Sequence, residues 1–195
     1  MKILLAITGA SGSIYGLRLL EELLRAGHQL TLVASESGLE VCRYETGIEL
    51  TDAETLKQRW GLPEANLTIR AATDLWAPEA SGSAAPEAMV IAPCSMGTVG
   101  RISAGISGNL IERAADVMLK EHRPLLLLPR ETPFSTIHLE NLLKLSRCGA
   151  RIIPAMPGFY QKPETIDQLV DFVVGKMLDQ LGVEHQLFKR WGTAD

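Results

Sequence analysis

The chain has 195 residues and a formal net charge of −4, and 46 % of its residues are hydrophobic. That is enough apolar chain for one α/β domain with a buried core, and it excludes a disordered protein. The acidic balance lacks the basic stripe of a nucleic-acid binder, and no apolar run nears the roughly 20 residues that cross a bilayer.

The first apolar run, KILLAI (2–7), reads as a buried strand. It is too short for a secretory signal and leads straight into glycine, so the expected compartment is the cytoplasm. Residues 13–27 follow as a helix with Ile14, Leu17, Leu20 and Leu24 on one face and Gly27 near its end. HQLTLVAS (28–35) is a second strand, 36–47 and 52–60 are helical, and NLTIRA (66–71) is a third strand. The Pro-, Gly-, Ser- and Ala-rich stretch 77–88 reads as a loop. AMVIAP (88–93) is a strand, SMGTVGRISAGIS is a glycine-interrupted helix or loop, and 108–122 is a clear helix. Strand 123–130, helix 135–149, strand 150–155 and a long helix 163–182 with Pro163 in its first turn complete the pattern. Buried strands alternating with amphipathic helices predict a doubly wound parallel sheet in three αβα layers, a single domain over 1–182, with 183–195 as a C-terminal tail. Ligands of such sheets sit beyond the carboxyl ends of the strands.

The first such end carries TGASGSIYG, residues 8–16. A dinucleotide fingerprint needs G-x-G-x-x-G and an acidic residue about 20 positions on. Here the glycines are Gly9, Gly12 and Gly16, and the second strand ends in VAS with no acid at its tip. No Tyr-x-x-x-Lys pair exists either, which argues against a short-chain dehydrogenase. The turn suits a single phosphate held by backbone N–H groups and the serine hydroxyls. The alternative is a tight turn in which Ser11 or Ser13 caps the helix. Cys42, Cys94 and Cys148 are scattered and odd in number, as in a reducing compartment, and the four histidines form no ligand cluster. No metal is expected.

TGASGSIYG, APCSMGT (92–98), RAADVMLKE with RPLLLLPRETP (113–133), PAMPGFYQKP (154–163) and LFKRW (187–191) resemble, in order and spacing, the UbiX-like flavin prenyltransferases. The resemblance runs from residue 1 to about 191. It implies a flavodoxin-like or Rossmann-like fold, a homo-dodecamer and active sites at subunit interfaces. The implied reaction joins the dimethylallyl group of dimethylallyl phosphate to reduced FMN at N5 and C6. It releases phosphate and makes prenylated FMN for a UbiD-type decarboxylase.

By the same resemblance, Gly9, Ala10, Ser11, Ser35, Cys94, Ser95, Met96, Gly97 and Arg130 contact the flavin. Lys120, Arg130, Tyr160 and Lys176 take the substrate phosphate, and Arg113 lies near the site. Ser11, Glu45 and Glu131 are its proton-transfer candidates. Cations suit an allyl phosphate because negative charge develops on the leaving group as the C–O bond breaks. Lys120 and Arg113, seven apart on one helix, face the same side. Lys176 stands where many relatives have arginine, and Gly97 where many have lysine; lysine at 176 keeps the charge and loses the bidentate fork. Trp191 reads as an apolar anchor, with the tail packing on a neighbouring subunit. Two other readings stay open: a flavin-dependent cysteine decarboxylase of the same fold, and a non-catalytic FMN carrier.

Overall fold

The computed structural model describes residues 1–192. Six parallel strands are arranged in the order β3-β2-β1-β4-β5-β6: β1 Lys2–Ile7, β2 Gln29–Ala34, β3 Leu67–Ala71, β4 Ala88–Cys94, β5 Leu125–Pro129 and β6 Arg151–Ile152. β1 pairs with β2 on one side (Ile3 opposite Leu30) and with β4 on the other (Ile3 opposite Ala88). The chain winds outward in both directions from this pair, so the crevice of the sheet lies at the carboxyl ends of β1 and β4.

Seven helices cover the sheet: α1 Ser13–Arg25, α2 Glu36–Thr46, α3 Ala53–Arg59, α4 Met96–Ser103, α5 Leu110–Lys120, α6 Thr136–Arg147 and α7 Ile166–Leu181. β4 is buried along its whole length and β5 likewise, as strands covered on both faces must be. One core layer packs α1 and α7 (Leu17, Leu20, Leu24, Val170, Val174, Met177) against Ile3, Leu5 and Ile7. The other packs α4, α5 and α6 (Val99, Ile102, Met118, Leu145) against Leu4, Ala6, Met89 and Leu127. The doubly wound, three-layer expectation therefore holds.

Local details differ from the sequence reading. Ile14 is exposed, because it points away from the sheet while its neighbours Ser13, Gly16 and Leu17 in the same turn are buried. The 77–88 loop contains two short 3-10 turns, Pro78–Ala80 and Gly82–Ala84. The last strand shrinks to Arg151–Ile152 because Pro154 interrupts it. Pro163 lies outside α7, whose first turn is capped by Thr165, the side chain accepting from Gln168 N.

One glycine fixes the approach of α1 to the sheet. A Cβ at Gly16 would fall 2.1 Å from the carbonyl oxygen of Ala92 in β4, so no side chain fits unless helix and strand separate. Gly16→Ala is expected to cost about 3 kcal/mol, the upper range for overpacking, despite the better helix propensity of alanine. The midpoint of urea unfolding measures it; an unchanged or raised midpoint contradicts the close approach.

Candidate active site

The carboxyl ends of β1 and β4 are tied by one side chain. Thr8 Oγ1 donates to the Pro93 carbonyl at 3.0 Å and accepts from the Ser95 N–H at 2.8 Å. Thr8 N also donates to Pro93 O. This holds the Gly9–Ser11 turn beside the Ser95–Thr98 turn. Ser95 then caps α4, accepting from Thr98 N at 3.3 Å, with its hydroxyl 3.0 Å from Thr98 Oγ1. At the tip of β2, Ser35 caps α2 through Gly38 N and lies 3.3 Å from the Ser37 hydroxyl. A Cβ on Gly9 would fall 2.3 Å from Ser37 Oγ, so glycine is what allows the first turn to lie against the second. From β5, Arg130 reaches across and donates from Nε to the Ser11 carbonyl at 3.0 Å. Gly9, Ala10, Ser11, Ser35, Ser95, Met96, Gly97 and Arg130 thus meet on one rim, formed by four strand ends.

The glycine-rich turn is not capped by Ser11 or Ser13. Gly12 is the N-cap of α1, in the left-handed region with φ 105°, and offers no side chain. Glu45 from the end of α2 fills the place: its carboxylate accepts from Gly12 N at 3.0 Å and from Ser13 N at 3.0 Å. Partial burial of this carboxyl raises its pKa, and the hydrogen bonds from the Ser11 hydroxyl and the Ser13 and Gly12 N–H groups outweigh that, holding it below the ordinary glutamate value. The N–H groups that the sequence reading offers to a phosphate already hold an anion.

Cys94 is fully buried, and burial pushes its thiol up to about 12, with a small opposing pull from Arg101. At neutral pH it is a protonated apolar group and no nucleophile; its place in the rim is through its backbone. Glu131 turns its carboxylate onto the N–H of Thr132 at 3.1 Å. Ser37, Thr98 and Arg101 are rim residues that sequence reasoning missed. Asn109-x-x-Glu112 has the look of a capping box, and Asn109 does cap α5. Glu112, however, reaches past its own cap to Arg101 and Gly108, which no sequence spacing reveals.

The phosphate cations do not gather within one chain. Leu110 N donates to Ala72 O just past β3, so α5 starts at the carboxyl edge of the sheet. It ends near Pro124, whose carbonyl accepts from Met89 N at the start of β4. Lys120, at the last turn, therefore lies on the edge opposite Arg130, contrary to the expectation that each motif sits near the strand carboxyl ends. It pairs with Glu121 beside Gly82. Arg113 donates to Ala80 O at 3.0 Å, so both do face the same 3-10 turns. Tyr160 stands edge-on to Phe172 (5.7 Å) and to Trp191 (5.2 Å), and the Lys176 ammonium lies 5.0 Å above Phe188 and 5.5 Å above Phe172. A cleft of about 400 Å³ opens beside this cluster, lined by Gly158, Gln161, Phe172 and Phe188 among others; none of the sequence-assigned site residues lines it.

Because Glu45 has a lowered folded pKa, its contribution to stability is complete above the unfolded value of about 4.3 and is lost as pH falls through the folded one. Glu45→Ala is expected to lower stability at pH 7 by about 0.5–1 kcal/mol, in the range of an exposed helix cap. The difference should shrink as pH falls below the unfolded value and the carboxylate is protonated in both states. Thermal unfolding of both proteins across pH 3–7 checks it; a gap independent of pH contradicts the capping role.

With this geometry in place, comparison with known proteins is informative. The Flavoprotein family model matches residues 1–178. The flavin prenyltransferase UbiX of Halalkalibacterium halodurans is 53 % identical over 187 residues, covering 95 % of this chain and 91 % of the relative. That of Pseudomonas aeruginosa is 48 % identical over 98 % of this chain and 94 % of its own. Among solved structures, AnUbiX in complex with FMN and dimethylallyl pyrophosphate superposes with a TM-score of 0.91 at 39 % identity, covering 100 % of this chain and 98 % of that one. A dodecameric FMN-dependent UbiX-like decarboxylase from Escherichia coli O157:H7 gives 0.90 at 41 % identity, over 99 % and 100 %. Identity at this level over nearly the whole chain places it in the Flavoprotein family, among the UbiX flavin prenyltransferases.

Proposed function

We propose that this chain joins the dimethylallyl group of dimethylallyl phosphate to reduced FMN, forming bonds at N5 and C6 and releasing phosphate, and so makes prenylated FMN. The observation that carries this reading is the rim itself: Arg130 is fastened to the Ser11 carbonyl, so one cation is fixed beside the turn that faces a flavin. The serine hydroxyls of three strand ends and the guanidinium form a donor set that suits a phosphate-bearing flavin. Bound there, reduced FMN would supply the two nucleophilic positions and dimethylallyl phosphate the electrophilic carbon, while the protein binds and orients both.

Ser11 bridges to an ionised carboxylate: its hydroxyl hydrogen-bonds Glu45, whose pKa is depressed. At neutral pH Glu45 is an acceptor, so Ser11 with Glu45 forms a route for the proton leaving N5. Glu131, adjacent to Arg130, is the second acceptor, for the ring proton lost as the bond at C6 forms, and the released phosphate can share that task. Arg130 and Lys176 offset charge on the leaving phosphate, and the Tyr160 hydroxyl donates a hydrogen bond to it. Cys94, Met96 and Gly97 line the flavin through their backbone.

Lys120 lies on the opposite edge of the sheet, so it joins this cage from a neighbouring copy, while Arg113, in the first turn of α5, braces the 3-10 turn at Ala80, next to the one at Gly82 that Lys120 faces. A closed homo-oligomer, a dodecamer in this reading, brings the two edges together. Residues 183–192 fold back on α7 of their own chain through Phe188, His185 and the Arg190–Asp179 pair. Trp191 remains 82 % exposed and offers its outer face to a neighbouring subunit. Residues 193–195 of the tail lie outside the described residues. The enzyme works in the cytoplasm and hands its product to a UbiD-type decarboxylase.

Incubation with reduced FMN and dimethylallyl phosphate under anaerobic conditions should yield a flavin heavier by one C5 unit by mass spectrometry. Recovery of unmodified FMN alone, beside a working control enzyme, overturns the reading. Lys176→Arg should lower the KM for dimethylallyl phosphate about threefold by restoring the fork, and Lys176→Ala should raise it about tenfold. Lys120→Ala and Arg130→Ala chains should each be inactive. Co-assembled in equal amounts they should regain about a quarter of the activity if sites are shared between copies, and none if they are not.

A further inference from the structure

The rim holds one cation that this mechanism has not used. Arg101, in the second turn of α4, folds its side chain back toward the N-terminus of its helix, as helical side chains do. Its Nε binds the Glu112 carboxylate, and Nη2 lies 3.4 Å from Thr98 Oγ1. Nη1 stands where a side chain at position 97 would begin: a Cβ on Gly97 would be 3.4 Å away. Glycine at 97 thus leaves the outer edge of the guanidinium uncovered.

Behind it, Glu112 is built as a support. Its side chain is 2 % exposed, and its second oxygen accepts from Gly108 N at 2.8 Å. Gly108 and Glu112 belong to the start of α5, on the carboxyl edge of the sheet above Ala72. The pair therefore sits at the carboxyl edge of the sheet, beside the Ser95–Thr98 turn that follows β4, and not on a remote surface. A buried carboxylate spends its charge well only if its partner is held in place. Here the partner is held with 48 % of its side chain open to the rim.

The other ready-made anion position on the rim, the N-terminus of α1, is filled by Glu45. A phosphate entering there would meet a carboxylate. On the α4 side it would meet a guanidinium, the hydroxyls of Ser95 and Thr98, and the positive end of the α4 dipole.

We propose that Arg101, braced by Glu112, is a phosphate-binding residue of the active site, and that the phosphate monoester it takes is delivered by one of the two substrates. The proposal rests on the reading of the chain as a flavin prenyltransferase. Arg101 contributes two N–H donors to a planar, bidentate contact, and Glu112 fixes the plane. Lys in its place keeps the charge and loses the fork.

Binding of FMN and of riboflavin, which lacks the phosphate, separates this from a packing role. With wild-type protein and Arg101→Gln, flavin affinity is measured without any prenyl donor, and the KM for dimethylallyl phosphate is measured at saturating FMN. If the flavin delivers the phosphate, Arg101→Gln should weaken FMN about tenfold or more and riboflavin less than about twofold. If the prenyl donor delivers it, the KM for dimethylallyl phosphate should rise about tenfold with FMN affinity unchanged. Arg101→Lys, which retains the charge and keeps the pair with Glu112, should recover part of either loss and serves if the glutamine variant does not fold. FMN and riboflavin weakened in parallel with KM unchanged, or no change in any of the three, overturns the proposal. A wild-type protein that binds FMN and makes no prenylated flavin overturns the prenyltransferase reading instead, and leaves the FMN–riboflavin comparison able to judge Arg101.

Discussion

Thr8 is the residue on which the rim depends. Its hydroxyl is both donor and acceptor, spending its proton on Pro93 O and a lone pair on Ser95 N. Two carboxyl-terminal turns from strands far apart in sequence are thereby set to one relative position in a fully buried place. An apolar replacement of the same shape would leave the Ser95 N–H without its partner and the Pro93 carbonyl with only the Thr8 N–H, where desolvation is costly. The tie also explains the depth at which α1 sits: the helix begins four residues after Gly9, and Gly16 must then pass the carbonyl of Ala92. Rim geometry and helix packing are consequences of the same short segment.

On this frame charges are sorted by position. The carboxylate of Glu45 sits on the α1 N-terminus, where helix dipole and N–H groups favour it. The guanidinium groups of Arg130 and Arg101 approach from the β5 and α4 sides. An ionised acceptor and a guanidinium held on the same Ser11 turn suit a reaction that loses protons at the flavin and gathers negative charge on a departing phosphate. The depressed pKa of Glu45 matters for that division, since a protonated glutamic acid would have to donate where the chemistry requires acceptance.

Much of this was legible in the chain, and the reasons are physical. Buried parallel strands show as unbroken apolar runs, and glycine, proline and capping residues mark their ends, so β1, β4, β5 and the helices between them follow from pattern alone. The glycine spacing at 9, 12 and 16 correctly turned the reading from a dinucleotide. Contacts between residues distant in sequence were not legible. Nothing in RYETG shows that Glu45 reaches the first helix 32 residues upstream, and the turn was therefore offered a serine cap. Asn109-x-x-Glu112 invites a local reading, while its glutamate serves Arg101 in another helix. Tyr160 and Lys176 carry no sequence mark of the aromatic rings they rest on. Helix direction is readable, and it puts Lys120 at the far end of α5: two residues can share a helix face while one of them lies about a strand length from the other's edge of the sheet.

That last distance is what makes the assembly a matter of chemistry. The sheet is as deep as its strands are long, about 20 Å for the seven residues of β4. Arg130 and Lys120 stand at opposite ends of that depth, separated by the short 121–124 turn and the fully buried strand β5. No rotamer closes such a gap, and no hinge in the described residues lies between them. A phosphate cage that takes both cations must draw them from two copies. In such a cage the leaving group is shielded from water by the contact between subunits, which removes the need for a lid of the chain's own, and every catalytic cation is held by folded structure before the substrate arrives. The cost, on the proposed reading, is that an isolated chain, however stable its core, lacks Lys120 at its own flavin rim.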